Sequence, residues 1–287
     1  MINLHNVSFA YDKSLILENL TLREQDPVIT GLWGRNGSGK TTLMKILSGQ
    51  NKADNGTAEI LGQKPYNNSE AARNICYMQE NHPFPNIWTV QDAMRFGKYF
   101  NENWDQETAE QLKKIFRLPD KKKIKKFSKG MKSAVQIMIG LASFADLTIL
   151  DEPTNGLDAS IRKKFYKSLL DSYEKKPRLI LLSSHHIEEI QPYCESLIVI
   201  HKKQVLLHEP MECMREKGVW ITGERTKVES FVKDKRILEQ TMLGQYLRVM
   251  VDLPYNAEWM QTARAQDVSM EKADLQDYLL NLTGGDV

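Results

Sequence analysis

The stretch "DPVITGLWGRNGSGKTTLMKILSG", Asp26 to Gly49, decides the fold. An apolar β-branched run leads into a glycine loop, and a helical pattern follows at once and stops at Gly49. Within it "GRNGSGKT", Gly34 to Thr41, fits GxxxxGK[ST] in the strand–loop–helix context that gives the motif its meaning. Gly34, Gly37 and Gly39 let backbone N–H groups turn inward around phosphate oxygens without Cβ clashes. Lys40 offers a point charge to the β/γ-phosphates and Thr41 a hydroxyl to Mg²⁺. A glycine turn that merely caps a helix would need neither the strand nor the Lys-Thr pair.

Outward from this loop, residues 2–9 and 15–22 alternate as strands joined by a turn through Tyr11–Ser14. Further strands are expected at Thr57–Leu61, Asn74–Tyr77, Leu147–Leu150, Leu179–Ser183 and Leu197–Ile200. Helical pattern covers Pro83–Leu118 behind a Pro- and Asn-containing lead-in, the run "KKFSKGMKSAVQIMIGLA" to about Phe144, and Ala159–Tyr173. Strands alternating with helices imply a largely parallel sheet covered on both faces.

Near residue 208 the character changes: glycines become few and no phosphate motif appears. The expected domains are therefore 1–207 and 208–287, with a helical insertion at about 81–144. In the second, "VWITG", "ILEQTMLG" and "QYLRVMVDLP" read as strands. Helices are expected near Glu224–Lys233, Ala257–Ala263 and Lys272–Leu282.

Composition bounds what such a chain can be. With 287 residues it can bury a real core, and 41% apolar with 26% charged residues is ordinary for a globular protein. A net charge of +2 argues against coating nucleic acid. Cys76, Cys194 and Cys213 are too few and too scattered for a disulfide framework and read as cytosolic thiols. The N-terminus lacks a signal-peptide pattern, and no apolar run reaches spanning length. The lysine run "DKKKIKK", Asp120 to Lys126, lacks interleaved aromatics and reads as a solvated linker rather than a lipid or nucleic-acid patch.

A second acidic motif completes the chemistry. In "LTILDEPTNGLD" an apolar strand ends at Asp151, placed to hold Mg²⁺, and Glu152 can orient or deprotonate an attacking water. Gln79, in "YMQENHPF", follows a strand and could reach the metal and water through its amide. In "LILLSSHHIEEI" His185 could hydrogen-bond a γ-phosphate; His186 stands beside it, and the spacing favours His185. Tyr11 has a flat face suited to stacking on adenine. "FSKGMK" opens a long helix like the mouth of an anion site, yet it holds no metal ligand and no base.

Taken in order, Tyr11, "GRNGSGKT", Gln79, "FSKGMK", "LTILDEPTNGLD" and "SSHH" resemble an ATP-binding cassette (ABC) ATPase over roughly the first two-thirds of the chain. The resemblance implies an α/β fold. It would have a RecA-like P-loop NTPase core, an antiparallel β subdomain and an inserted helical subdomain, followed here by a small α+β C-terminal extension. It implies ATP and Mg²⁺ as ligands, with Asn36, Ser38, Thr42 and Asp158 joining the residues above around the nucleotide.

It also implies that Ser128 and Gly130 contact the nucleotide of a second cassette, so that a dimer, with a homodimer expected, closes two composite sites. A separate integral membrane subunit would dock beside residues 80–110, where Phe84, Ile87, Trp88 and Phe96 supply contact area and Trp88 is expected to face the partner. The place implied is the inner face of the cell membrane, with no nucleic acid bound.

The turn departs from the usual Leu-Ser-Gly-Gly-Gln at Phe127, Lys129 and Met131; Lys129 could add charge near the γ-phosphate or simply point to solvent, and the second is expected. The undivided cassette, "FSKGMK", "NENWDQE" and the extension are similar to bacterial exporter subunits, the nearest likeness being exporters of amphipathic or antimicrobial peptides such as phenol-soluble modulins. A soluble ABC ATPase acting on ribosomes or DNA is the alternative; such proteins carry two cassettes or a long coiled coil, and this chain has one cassette and no heptad run. A small-molecule kinase would have no use for "FSKGMK" or "DEPTNGLD".

Overall fold

The computed structural model describes residues 1–284. The chain forms two compact units: residues 1–185 with 190–208, and residues 186–189 with the chain from 209 onward.

In the first unit β1 (Ile2–Tyr11) and β2 (Ser14–Glu24) form an antiparallel hairpin. Next come β3 (Ile29–Trp33), the glycine loop and α1 (Lys40–Leu47), and then β4 (Asn55–Ile60), which pairs antiparallel with β1. The result is a three-stranded sheet in the order β2-β1-β4. After α2 (Ser69–Arg73), β5 (Ile75–Met78) joins the main sheet, and the chain leaves for α3 (Val90–Phe100), α4 (Gln106–Ile115) and α5 (Lys129–Ala142). It returns as β6 (Leu147–Leu150), α6 (Ala159–Lys175), β7 (Leu179–Ser184), β8 (Ser196–His201) and β9 (Gln204–Pro210); the single turn α7 (Ile187–Ile190), between β7 and β8 in sequence, has its first three residues in the second unit.

The main sheet runs β5-β6-β7-β3-β8-β9, and β5, β6, β7, β3 and β8 pair in parallel. Every residue of β3, β6 and β7 is buried, as expected for parallel strands covered on both faces. Leu32, Leu43, Leu147, Ile149, Leu181 and Ile198 share one apolar core with Ile2, Leu4 and Leu20 of the smaller sheet. That core fixes the loops at the carboxyl ends of the parallel strands.

The helical expectation over Pro83–Leu118 resolves into its lead-in and two helices. Helix starts only at Val90, behind a capping box. There the Thr89 hydroxyl accepts the Asp92 N–H at 3.3 Å, and the Asp92 carboxylate accepts the Thr89 N–H at 2.9 Å. A second start follows at Asp105, whose carboxylate accepts the Thr108 N–H at 2.6 Å. Two caps in one stretch make two helices. The lysine run contains a 3₁₀ turn, Ile124–Lys126, pinned by fully buried Ile124.

In the second unit α8 (Met211–Arg215) precedes β10 (Lys217–Glu224), α9 (Arg225–Val232), β11 (Ile237–Leu243), β12 (Tyr246–Pro254), α10 (Ala257–Ala265), β13 (Ser269–Lys272) and α11 (Leu275–Gly284). Its antiparallel sheet is ordered β11-β12-β10-β13. Val219, Ile221, Val249 and Val251 pack there with Val228 and Phe231 of α9. The expected helix from Lys272 starts instead at Leu275, because Ser269–Lys272 pairs with β10 as an edge strand. The residues 186–189 belong to this unit, and Ile187 donates its N–H to Gln276 of α11 at 2.9 Å.

Candidate nucleotide site

The glycine loop is shaped by contacts only glycine permits. Gly39 caps α1 at φ 106°, in the left-handed region, with Leu17 against its Cα hydrogens. A Cβ on Gly34 would stand 2.7 Å from the Ile200 carbonyl oxygen. No side chain caps α1, so its first N–H groups face the loop's concavity, and the helix dipole adds positive potential there. Lys40, buried, donates from Nζ to the Gly34 carbonyl at 2.5 Å. Ser38 Oγ is buried without a hydrogen-bond partner, as a donor kept for an absent oxygen would be.

Opposite this loop stand the carboxylates at the end of β6. Asp151 accepts from Ser183 Oγ at 2.8 Å on Oδ1, and from Thr41 Oγ1 at 3.1 Å and the Tyr77 hydroxyl at 3.4 Å on Oδ2. Glu152 has φ 47°, a costly conformation for a side chain of its kind. Its N–H donates to Ser183 Oγ at 2.9 Å, and its Oε2 accepts from His185 Nδ1 at 2.9 Å. His185 is itself placed by its carbonyl, which accepts from Trp33 Nε1 at 3.3 Å. Ser183 is therefore the pivot of the acidic pair.

Burial sets the electrostatics of both charged residues. Burial pushes the Asp151 carboxyl above its ordinary range; hydrogen bonds from Ser183 and Thr41 oppose the shift, while the neighbouring charges of Glu152 and Glu80 add to it. Burial pushes Lys40 below the usual lysine range, against the pull of Glu152 and Asp151. Both charged forms are held at a cost, which a phosphate beside Lys40 and a cation beside Asp151 would relieve.

A cavity of about 290 Å³ lies between loop and carboxylates, lined by Ile16, residues 36–42, Glu80, Asp151 and Glu152. It brings together Asn36, Gly37, Ser38, Gly39, Lys40, Thr41, Thr42, Asp151 and Glu152, with His185 bonded to Glu152. Tyr11 is not among its lining; that ring packs edge-on against Phe9, and its hydroxyl accepts from Asn51 at 3.0 Å. Gln79 is also outside the lining, which the next residue, Glu80, joins. Asp158 caps α6 by accepting the Ile161 N–H at 2.9 Å. Ser128 caps α5 by accepting the Met131 N–H at 3.3 Å and is exposed, and neither Ser128 nor Gly130 touches this cavity.

Lys129 does not simply point to solvent: its Nζ lies 3.1 Å from Glu80 Oε1. The motif reading missed Glu80, Ser183 and Tyr77. A serine at the end of the fully apolar run "LILLSS" was the available signal for Ser183, because a buried hydroxyl needs a partner.

Strand, glycine loop, helix and paired acids define a P-loop nucleotide triphosphatase. A family model described as ABC transporter matches residues 17–155. The putative ABC transporter ATP-binding protein AlbC of Bacillus subtilis (strain 168) is 30% identical over 216 residues, covering 71% of this chain and 90% of AlbC. The bacitracin transport ATP-binding protein BcrA of Bacillus licheniformis is 29% identical, covering 96% of this chain and 94% of its own. Among solved structures, the ATP binding subunit of an ABC transporter aligns with TM-score 0.68 at 25% identity, covering 75% of this chain and 92% of that one. The chain belongs to the ATP-binding ATPase subunits of ABC transporters. Among the described residues no helix is long and apolar enough to cross a membrane.

Proposed function

We propose that this subunit hydrolyses ATP in pockets shared between two copies of the chain and thereby drives export through a separate membrane subunit. The observation that carries the shared pocket is the placement of the serine–glycine turn. Ser128 is exposed and lies outside the chain's own cavity, although the turn opens a fourteen-residue helix whose N–H groups suit an anion. A second copy presenting this turn would close the open cavity of the first.

Within the cavity, Lys40, Ser38 and the backbone N–H groups of residues 37–41 bind the phosphates, and Thr42 and Asn36 complete the lining. Thr41 and Asp151, with oxygens 3.1 Å apart, fit a divalent cation, and Asp151 is short of positive charge; Gln79 would reach toward the same ion. When bound, Mg²⁺ neutralises charge on the β- and γ-oxygens. Glu152 accepts a proton from, or orients, the attacking water, and His185 holds Glu152 and the γ-phosphate side of the site. Tyr11 offers its ring to the base, and Asp158, exposed at the start of α6, would join the nucleotide's surroundings.

The partner for force transmission is an integral membrane subunit, so the chain works as a peripheral protein on the cytoplasmic side. A groove of about 700 Å³ among Phe84, Trp88, Phe96, Tyr99 and Phe100 supports this. Ile87 and Tyr99 are 72% and 84% exposed beside it, an apolar patch that suits docking of a helix. Near full-length likeness to a protein named for bacitracin transport favours an amphipathic peptide as cargo.

The test is Glu152→Gln. The variant should bind ATP as the parent does, form a stable dimer with ATP on gel filtration, and lose at least about a hundred-fold in turnover. Turnover near the parent's, or a monomer at saturating ATP, would overturn the reading.

A further inference from the structure

Glu80 is held from three directions. Its Oε1 accepts from Lys129 Nζ at 3.1 Å and from Asn155 Nδ2 at 2.6 Å, and its backbone carbonyl accepts from Gln136 Nε2 at 3.4 Å. Lys129 and Gln136 belong to α5, and Asn155 follows the Asp151–Glu152 pair. The same two segments also touch directly. Ser133 Oγ sits 3.3 Å from the Asn155 carbonyl, and a Cβ on Gly130 would stand 2.7 Å from that of Gly156. The aliphatic stem of Lys129 covers Gly156, with Cγ 3.1 Å from where a Cβ would lie.

Glu80 is at the same time part of the nucleotide cavity's wall, and its charge acts on Asp151. One carboxylate therefore faces the chain's own nucleotide pocket and is gripped by the second residue of the exposed serine–glycine turn. A phosphate and cation arriving beside Asp151 change the field at Glu80. Any displacement of Glu80 pulls on Lys129 and on the loop at Asn155.

We propose that the Lys129–Glu80–Asn155 cluster is a positioning element that carries occupancy of the chain's own pocket to its serine–glycine turn, which serves the other copy. This rests on the shared-pocket reading above. Lys129 acts here as a positioning residue, through the hold of its Nζ on Glu80.

The experiment compares Glu152→Gln with Glu152→Gln/Lys129→Met, since methionine keeps the stem over Gly156 and removes the charge. ATP affinity of the dilute chain and ATP-driven dimerisation are measured separately. A half-exposed charge-assisted pair is worth up to about a five-fold change in an equilibrium. Dimerisation should therefore need roughly three- to five-fold more protein, while ATP affinity and the melting temperature stay unchanged. Lys129→Arg should restore dimerisation, and the Met defect should shrink as salt rises from about 0.05 M to 1 M.

Parent-like dimerisation of the Lys129→Met form would overturn the inference and leave the shared pocket intact. An equal loss in ATP affinity would also overturn it, because Lys129 would then act on its own pocket alone. A parent Glu152→Gln protein that stays monomeric with ATP would overturn both.

Discussion

Ser183 is fully buried at the end of β7 and carries two hydrogen bonds that no motif announces: it donates to Asp151 Oδ1 at 2.8 Å and accepts the Glu152 N–H at 2.9 Å. Ser183→Ala removes both with almost no change in volume. The bond to the carboxylate is worth about 1.5–3 kcal/mol and the bond from the backbone about 0.5–1.5 kcal/mol. Asp151 is left buried and the Glu152 N–H partly so, and the expected loss is about 3 kcal/mol. For a unit of this size that is a fall of about 6–12 °C in melting temperature.

The sign of its pH dependence follows from Asp151. Ser183 favours the ionised carboxylate, so the loss is full where Asp151 is ionised and shrinks as acid protonates it. Glu152, whose positive φ needs that anchor, should shift, and turnover should fall at least about ten-fold even with saturating ATP. Melting by circular dichroism at neutral and acid pH, together with steady-state ATPase assays, reads both quantities. A melting temperature within about 1 °C of wild type would refute the assignment of Ser183 as the pivot. So would unchanged turnover.

Three further outcomes are expected. Lys40→Met should weaken ATP binding about ten- to hundred-fold by calorimetry, the worth of a charge-assisted contact; affinity within two-fold of wild type would contradict Lys40 as a phosphate ligand. Asp151→Asn should raise the melting temperature of the nucleotide-free protein at neutral pH. The folded chain resists ionising Asp151, so stability is whole below its unfolded pKa and is lost as pH rises through the folded one. The gain should vanish in acid, and the variant should lose Mg²⁺-dependent ATPase; a lower melting temperature at neutral pH would reverse the sign. Trp88→Ala should leave ATPase of the isolated chain near wild type but cut turnover stimulated by the membrane subunit several-fold; unaltered stimulated turnover and transport would exclude the groove as the docking surface.

The parts of the molecule legible in sequence were those whose chemistry lies along the chain. The Gly34–Thr41 loop, the Asp151–Glu152 strand end and the alternating strands all carry local signals, and β3, β6 and β7 lie where their apolar runs placed them. What was hidden lies across the chain. Nothing local to Pro83–Leu118 outweighs its helical pattern except Thr89 and Asp105, whose side chains act as caps only once the backbone bends. The edge strand Ser269–Lys272 exists because β10 offers it a partner. Lys129 looked solvent-bound because Glu80 lies forty-nine residues away.

The same distinction explains the state of the pocket. Lys40 and Asp151 are each held against their preferred charge by burial, and each is supported by neighbours: Gly34 of the same loop for Lys40, Ser183 of β7 and Thr41 of α1 for Asp151. Burial opposes both charged forms, and a phosphate beside Lys40 with a cation beside Asp151 would relieve that opposition. Residues that merely line the cavity can change without altering that balance. Ser183 cannot, because it supports Asp151 and orients Glu152 with one oxygen. A substitution there should therefore cost stability and turnover together, whereas Asp151→Asn should separate them in opposite directions.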